Sequence, residues 1–269
     1  MSAAVIALSS LSKRFGERAV LDRLDWHVER GQVVGLLGRN GAGKSTLLEC
    51  LLGVRPLDGG SARLFGEDVG NLSAAARADI GYVPQSPDLF AWQTPTQMLH
   101  YFKALYPRWN DDKVEALLQR WGFDTALRHK LIGNLSGGEI QRLAIIRALA
   151  HEPALLVLDE RVSALDPVGR RAFLQELVGD VSGRDTTVLF STHILTDLER
   201  VAPQVAFLNN GVIALQGELD TLLEDAGVGL EELFIEVTAL GRLSTAAASG
   251  APAWQCCASR YWPAKRRDV

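Results

Sequence analysis

Apolar residues run along this chain in two rhythms. Leu24, Trp26 and Val28 alternate with Asp25, His27 and Glu29, the period of a half-buried strand, which ends at Gly31. Three shorter runs carry no charged break: Val33-Val34-Gly35-Leu36-Leu37, Leu155-Leu156-Val157-Leu158 and Thr187-Val188-Leu189-Phe190. Strands apolar on both faces belong inside a parallel sheet covered on both sides. Helical spacing takes over elsewhere: Leu47, Leu48, Leu51 and Leu52; Met98, Leu99, Phe102 and Leu105; Val114, Leu117, Leu118 and Trp121; Ile140, Leu143, Ala144 and Ala148; Phe173, Leu174, Leu177 and Val178; Leu230, Leu233, Phe234 and Val237. Thr94-Pro95, Asn110, Ser136 with Glu139, and Asp166-Pro167 supply the starts for four of these helices. Ser61 to Phe65 and Ile80 to Val83 read as short strands, and Asn209-Asn210-Gly211 joins two more as a hairpin.

Strands alternating with helices predict an α/β domain over 1–241. It has a mainly parallel core sheet, an N-terminal antiparallel β subdomain, and a ligand at the sheet's carboxyl edge. The helices between Gln85 and Ser136 interrupt this order, so an inserted helical subdomain of about 88–152 is expected. Its aromatic stripes, which include Trp92, Trp109 and Trp121, are expected in the core. Lys13-Arg14-Phe15-Gly16 reads as a loop carrying one aromatic.

The first apolar run leads into Gly38-Arg39-Asn40-Gly41-Ala42-Gly43-Lys44-Ser45-Thr46, and helical spacing follows at once. Glycine, four residues, Gly43, Lys44 and Ser45 is the spacing of the phosphate-cradling P-loop. Gly38, Gly41 and Gly43 let backbone N–H groups curl around phosphate oxygens, with Asn40, Ala42 and Thr46 in the same cradle. A helix beginning at Lys44 turns its positive end toward the same anion. Lys44 then reaches the terminal phosphates, and the Ser45 hydroxyl offers a ligand to magnesium. A P-loop NTPase is the expectation.

Charge and cysteines narrow the setting. The formal net charge is −4. Residues 242–269 hold five basic side chains and one acid, a net of +4, which leaves −8 on the rest. An acidic body excludes a general nucleic-acid binder, and no nucleic acid is expected as a partner. No run approaches the eighteen apolar residues of a membrane span, and Met1 to Ile6 has no basic segment ahead of a long apolar core. Cys50, Cys256 and Cys257 lack metal-ligand spacing, so an intracellular setting is expected. The final segment, 242–269, has no apolar rhythm and reads as a disordered basic tail.

Further signals follow the P-loop in order: Tyr82-Val83-Pro84-Gln85, Leu135-Ser136-Gly137-Gly138-Glu139 with Gln141-Arg142, Asp159-Glu160 after an apolar strand, Ser163-Ala164-Leu165-Asp166, and His193. Over residues 5–240 the chain resembles the nucleotide-binding subunits of ATP-binding cassette (ABC) transporters, and the Ser-Gly-Gly sequence is the most specific of these features. The resemblance implies ATP and Mg2+ as cofactors. Phe15 would stack on adenine, where a tyrosine is more usual; Lys44 would hold the β- and γ-phosphates, and Ser45 and Asp159 would position magnesium. Glu160 would be the general base, His193 would contact the γ-phosphate, and Gln85 would sense metal and attacking water. Ser136, Gly137 and Gly138 would meet the phosphate of a second subunit, giving a head-to-tail dimer with two composite sites. His27, His100, His129 and His151 are left to surface or capping roles.

A motor without a pore of its own implies a separate integral membrane permease and a cytoplasmic place on the inner face of the membrane. Pro87 to Gln93, with Leu89 and Phe90, would form the groove for a permease helix. Glu231-Glu232-Leu233-Phe234 and Tyr106-Pro107-Arg108-Trp109 are similar to two-subunit exporter ATPases. Arg161-Val162 departs from the family, which usually has Pro-Thr there. The rival reading is a soluble ABC ATPase of translation or DNA repair. Translation-type members usually carry two cassettes, and the stretch from Lys44 to Ser136 leaves no room for a repair-type coiled coil. A small-molecule kinase or GTPase has no use for the Leu-Ser-Gly-Gly sequence.

Overall fold

The computed structural model describes residues 4–159, 179, 185–192, 194–198 and 201–239. The readings at Glu160, Arg161-Val162, Ser163 to Asp166, the helix of Phe173 to Val178, His193 and the 242–269 tail lie outside the described residues.

Two sheets form the frame. The larger one is built from β3 (Val33–Leu37), β6 (Ile80–Val83), β7 (Leu155–Leu158), β8 (Thr187–Thr192), β9 (Gln204–Asn209) and β10 (Val212–Glu218), in the order β10-β9-β3-β8-β7-β6. All neighbours are parallel except β9 and β10, the hairpin at one edge. The smaller, antiparallel sheet has the order β2-β1-β4-β5, from β1 (Ala4–Phe15), β2 (Arg18–Glu29), β4 (Gly59–Leu64) and β5 (Glu67–Asp68). This is the mixed α/β architecture that the apolar rhythms imply.

The core divides along the faces of the parallel sheet. Val34, Leu36, Leu155, Val157, Leu189, Ala206 and Leu208 pack against the antiparallel sheet and α1 (Lys44–Leu51). Val33, Leu37, Leu156, Leu158, Val188, Phe190, Val205 and Phe207 face helices, chiefly α6 (Gly137–Leu149) and α8 (Leu219–Ala226). Strict alternation between two covered faces explains why these strands read as unbroken apolar runs.

The helices between β6 and β7 have their starts written locally. In α3 (Pro95–Lys103), Thr94 accepts from the Gln97 amide while the Gln97 side chain accepts from the Thr94 amide. Asn110 caps α4 (Asp111–Arg120) and Asp124 caps α5 (Thr125–His129). Such caps each contribute about 1 kcal/mol. Two short helices, α2 (Ala74–Ala78) and α7 (Leu195–Leu198), and the last helix, α9 (Leu230–Ala239), complete the described set. Leu230 and Leu233 are buried there, and the buried Asn209 amide donates to the Val237 carbonyl at 2.9 Å, tying α9 to β9.

Four local expectations are corrected. Lys13 to Phe15 end the strand β1 rather than forming a loop, because Phe15 pairs with Arg18 across the tight turn to β2. The aromatics between β6 and β7 are not all core. Trp121 is buried, but Trp92 is 71% exposed, and Phe90 and Tyr101 also face solvent. Leu105 lies past the end of α3 and is exposed. His151 is buried, its ring stacked on Tyr106 at 4.1 Å.

Candidate functional site

The carboxyl ends of parallel strands share one edge. There β3 runs into the loop of Gly38 to Gly43, β6 into Gln85, and β7 into Asp159. Gly43 is the N-cap of α1, with a left-handed backbone at φ 103°. A Cβ there would lie 2.9 Å from Val20 Cγ1, so both conformation and space require glycine. Arg39 closes the turn by accepting from the Ala42 amide at 3.0 Å. Gly38 is buried, while Asn40 and Gly41 are exposed, and Ala42, Gly43, Ser45 and Thr46 are half-buried. The first turn of α1 has no acidic residue to offset its positive end.

Lys44 is buried and folds back over the loop. Its ammonium donates to the Gly38 carbonyl at 2.7 Å and to the Arg39 carbonyl at 3.3 Å. The lysine is therefore held by carbonyl oxygens at the start of its own loop. Asp159 is 3% exposed, and its own amide donates to the Val83 carbonyl at 2.9 Å. Its Oδ1 accepts from the Ser191 hydroxyl at 2.6 Å, a contact between strand ends that the sequence did not announce. Tyr82 lies nearby; burial, with the carboxylates of Asp159 and Glu49, pushes its phenol up to about 12, so the ring stays neutral. Gln85 is exposed, at the start of the segment leading to the helices.

Phe15, the last residue of β1 in the antiparallel sheet, is 45% exposed. The Arg55 guanidinium lies 5.0 Å from the centre of its ring and is held by Glu49 of α1 at 2.5 Å. Asp58 secures the same hairpin, accepting from Lys13 Nζ at 2.9 Å and from the Arg14 amide at 2.6 Å. The ring is thus fixed to the P-loop helix rather than left on a free loop.

Ser136, Gly137 and Gly138 start α6, on the helix-bearing side of the parallel sheet. Ser136 Oγ accepts from the Glu139 amide at 3.3 Å, and Glu139 accepts from the Ser136 amide at 2.6 Å. That bond to the Ser136 amide holds the Glu139 carboxyl below the usual carboxylate range. The Gly137 and Gly138 amides lie between these two and outside the box. Oxygen donors at Ser45 and Asp159 suit a hard cation such as Mg2+. Among the described residues no group of three or more His, Cys, Asp or Glu could hold a metal alone, so any site needs hydroxyl, water or phosphate oxygens as well.

Residues 21–163 match the family described as ABC transporter. The chain belongs to this family. An uncharacterized ABC transporter ATP-binding protein, YxlF of Bacillus subtilis, is 38% identical over 221 residues, covering 81% of this chain and 72% of the relative. A Nod factor export ATP-binding protein I of Burkholderia thailandensis is 35% identical, covering 87% and 78%. A solved ATP-binding subunit of an ABC transporter superposes with a TM-score of 0.77 at 28% identity, over 87% of this chain and 99% of that one. This ABC transporter subunit binds ATP, and its enzymatic activity is ATP hydrolysis. No helix among its described residues is long and apolar enough to cross a membrane.

Proposed function

We propose that this ABC ATPase is the motor subunit of an exporter. It works as a head-to-tail dimer in the cytoplasm, docked on a separate membrane permease. The observation that carries the reading is the pairing of two anion-directed helix starts on opposite flanks of one sheet. One is α1, with Lys44 folded over its loop. The other is α6, with the Gly137 and Gly138 amides outside its capping box. Two sites that each need both helices follow if the subunits meet about a two-fold axis. The Nod factor export name of one relative supports the export direction.

Within each site Phe15 stacks on the base, and the Gly38 to Thr46 loop with Lys44 takes the phosphates. Ser45 and Asp159 are the residues that would hold Mg2+, and Gln85 would sense the metal and the attacking water. Mg2+, when bound, polarises the phosphoryl oxygens and offsets their charge. Glu160 takes the proton from the attacking water, and His193 steadies the γ-phosphate. Ser136, Gly137 and Gly138 of the second subunit close the site. The exposed ring cluster next to Gln85 is the permease-facing surface. There Phe90 lies 5.7 Å from Trp92 and 5.5 Å, edge to face, from Tyr101.

The test is Glu160→Gln, which keeps the size of the side chain and removes the base. Losing a positioned base costs about 10²–10⁴ in rate, roughly 3–5 kcal/mol on the barrier. The variant is expected to bind ATP and run as a dimer on size exclusion, whereas Glu160→Gln combined with Ser136→Arg stays monomeric. Hydrolysis by Glu160→Gln at the parent rate overturns the base assignment. An ATP-bound variant that never dimerises overturns the sandwich.

A further inference from the structure

We infer that Ser191 is a positioning residue for the metal-binding carboxylate, the proton donor that fixes how Asp159 presents its oxygens to the magnesium of bound ATP. The inference rests on the reading of Asp159 as an oxygen donor to that ion.

Strand order creates the contact. β8 lies between β3, which carries the P-loop, and β7, which carries Asp159. In the parallel register Leu158 sits opposite Phe190, and both face the helix side of the sheet. One residue further on, alternation turns Asp159 and Ser191 together to the face covered by α1. Leu36, the register partner of Ser191 on β3, packs on that same face. Phosphate loop and carboxylate are therefore joined across a single strand, at Ser191.

The bond is strong by both length and setting. The donor-acceptor distance is 2.6 Å, the range of an O–H···O− bond, and the two residues are 3% and 4% exposed. Little water reaches either group to replace the bond. A carboxylate anchored through Oδ1 no longer turns freely about its last torsion, so its second oxygen keeps a set position. Partners that orient a ligating carboxylate in this way typically cost 10–100-fold in metal affinity or activity when removed. A serine that only filled space would need no hydroxyl.

The experiment compares Ser191→Ala with the parent by fluorescence anisotropy of ribose-labelled ATP, in chelator and in saturating magnesium, together with melting temperature and kcat. The expected result is unchanged ATP affinity in chelator and loss of most of the affinity that magnesium adds. A fall in kcat of about 10-fold or more accompanies it. Ser191→Thr, which keeps the hydroxyl, retains the magnesium effect, whereas Ser191→Val, its isostere without one, loses it. That pair carries the same contrast should the alanine variant not fold. Asp159→Asn separates the two levels of the argument. If it abolishes the magnesium effect while Ser191→Ala and Ser191→Val keep it, the positioning role is wrong and the reading of Asp159 stands. If the parent and Asp159→Asn respond to magnesium alike, the metal reading falls and takes the inference with it. A lower melting temperature with both affinities weakened equally makes Ser191 merely structural, and overturns it too.

Discussion

His151 shows how burial sets the chemistry of a single residue. Its ring stacks on Tyr106, and Nε2 lies 3.1 Å from the Ile80 carbonyl oxygen. Burial first, and the Arg108 cation with it, push its pKa down to about 4. An unfolded imidazole titrates near 6.5. Between those values the unfolded chain takes up a proton that the folded chain refuses, so falling pH favours unfolding. The contribution is complete above about pH 6.5 and is lost as pH drops toward 4, at a limit of roughly 3 kcal/mol. Melts at pH 7.5 and pH 5 check this: His151→Gln is expected to lose less melting temperature on acidification than the parent. Equal losses would refute it. The sequence hid this residue because His151-Glu152-Pro153 looks like the solvated end of a helix. Ser191 was hidden for another reason: its partner is defined by strand order, which no local pattern records. Lys44 and Asp159, by contrast, stand at the ends of apolar runs and were legible as candidates.

Elements differ in legibility according to how regular their burial is. β3, β7 and the first four residues of β8 announce themselves because both faces are covered. β1 does not, although it is twelve residues long. Its register slips between Leu8 and Leu11, and Ser10 takes a positive φ of 49° while its amide donates to Asp25 Oδ1. A bulge of this kind breaks the two-residue period, so no clean alternation marks this strand along the sequence. The segment from β6 to α3 carries the next prediction. Leu89, expected beside Phe90 in a docking groove, belongs to the core, whereas Trp92 is exposed. Leu89→Ala should cost about 2–5 kcal/mol of stability. Trp92→Ala should leave stability within about 0.5 kcal/mol yet lower recovery of the subunit with membranes containing its permease. Full recovery of Trp92→Ala with such membranes would sink the docking surface.

At the scale of the molecule, the parallel sheet divides two cores, and the P-loop leads from the sheet to α1 on the side of the antiparallel sheet. The antiparallel sheet on one side holds Phe15 and backs α1, while the helices on the other side hold Ser136. The alternation of apolar runs predicted the layers. It could not predict how β2 meets the β9–β10 turn, since that junction is made largely by backbone. At its centre is Val20. A Cβ on Gly43 would meet its side chain at 2.9 Å, and a Cβ on Gly211, in the β9–β10 turn, would meet its carbonyl oxygen at 2.6 Å. The Asp22 amide closes the junction on the Gly211 carbonyl at 3.0 Å. The hairpin turn and the phosphate loop thus both abut Val20, and the two glycines, far apart in the chain, are expected to be coupled through it. Gly211→Ala should weaken ATP binding without touching the nucleotide. In a double-mutant cycle with Gly43→Ala the stability losses should depart from additivity by more than the roughly 0.5 kcal/mol of independent sites. Losses that simply add would mean that Val20 yields to each glycine separately, and that the phosphate loop has no memory of the turn behind it.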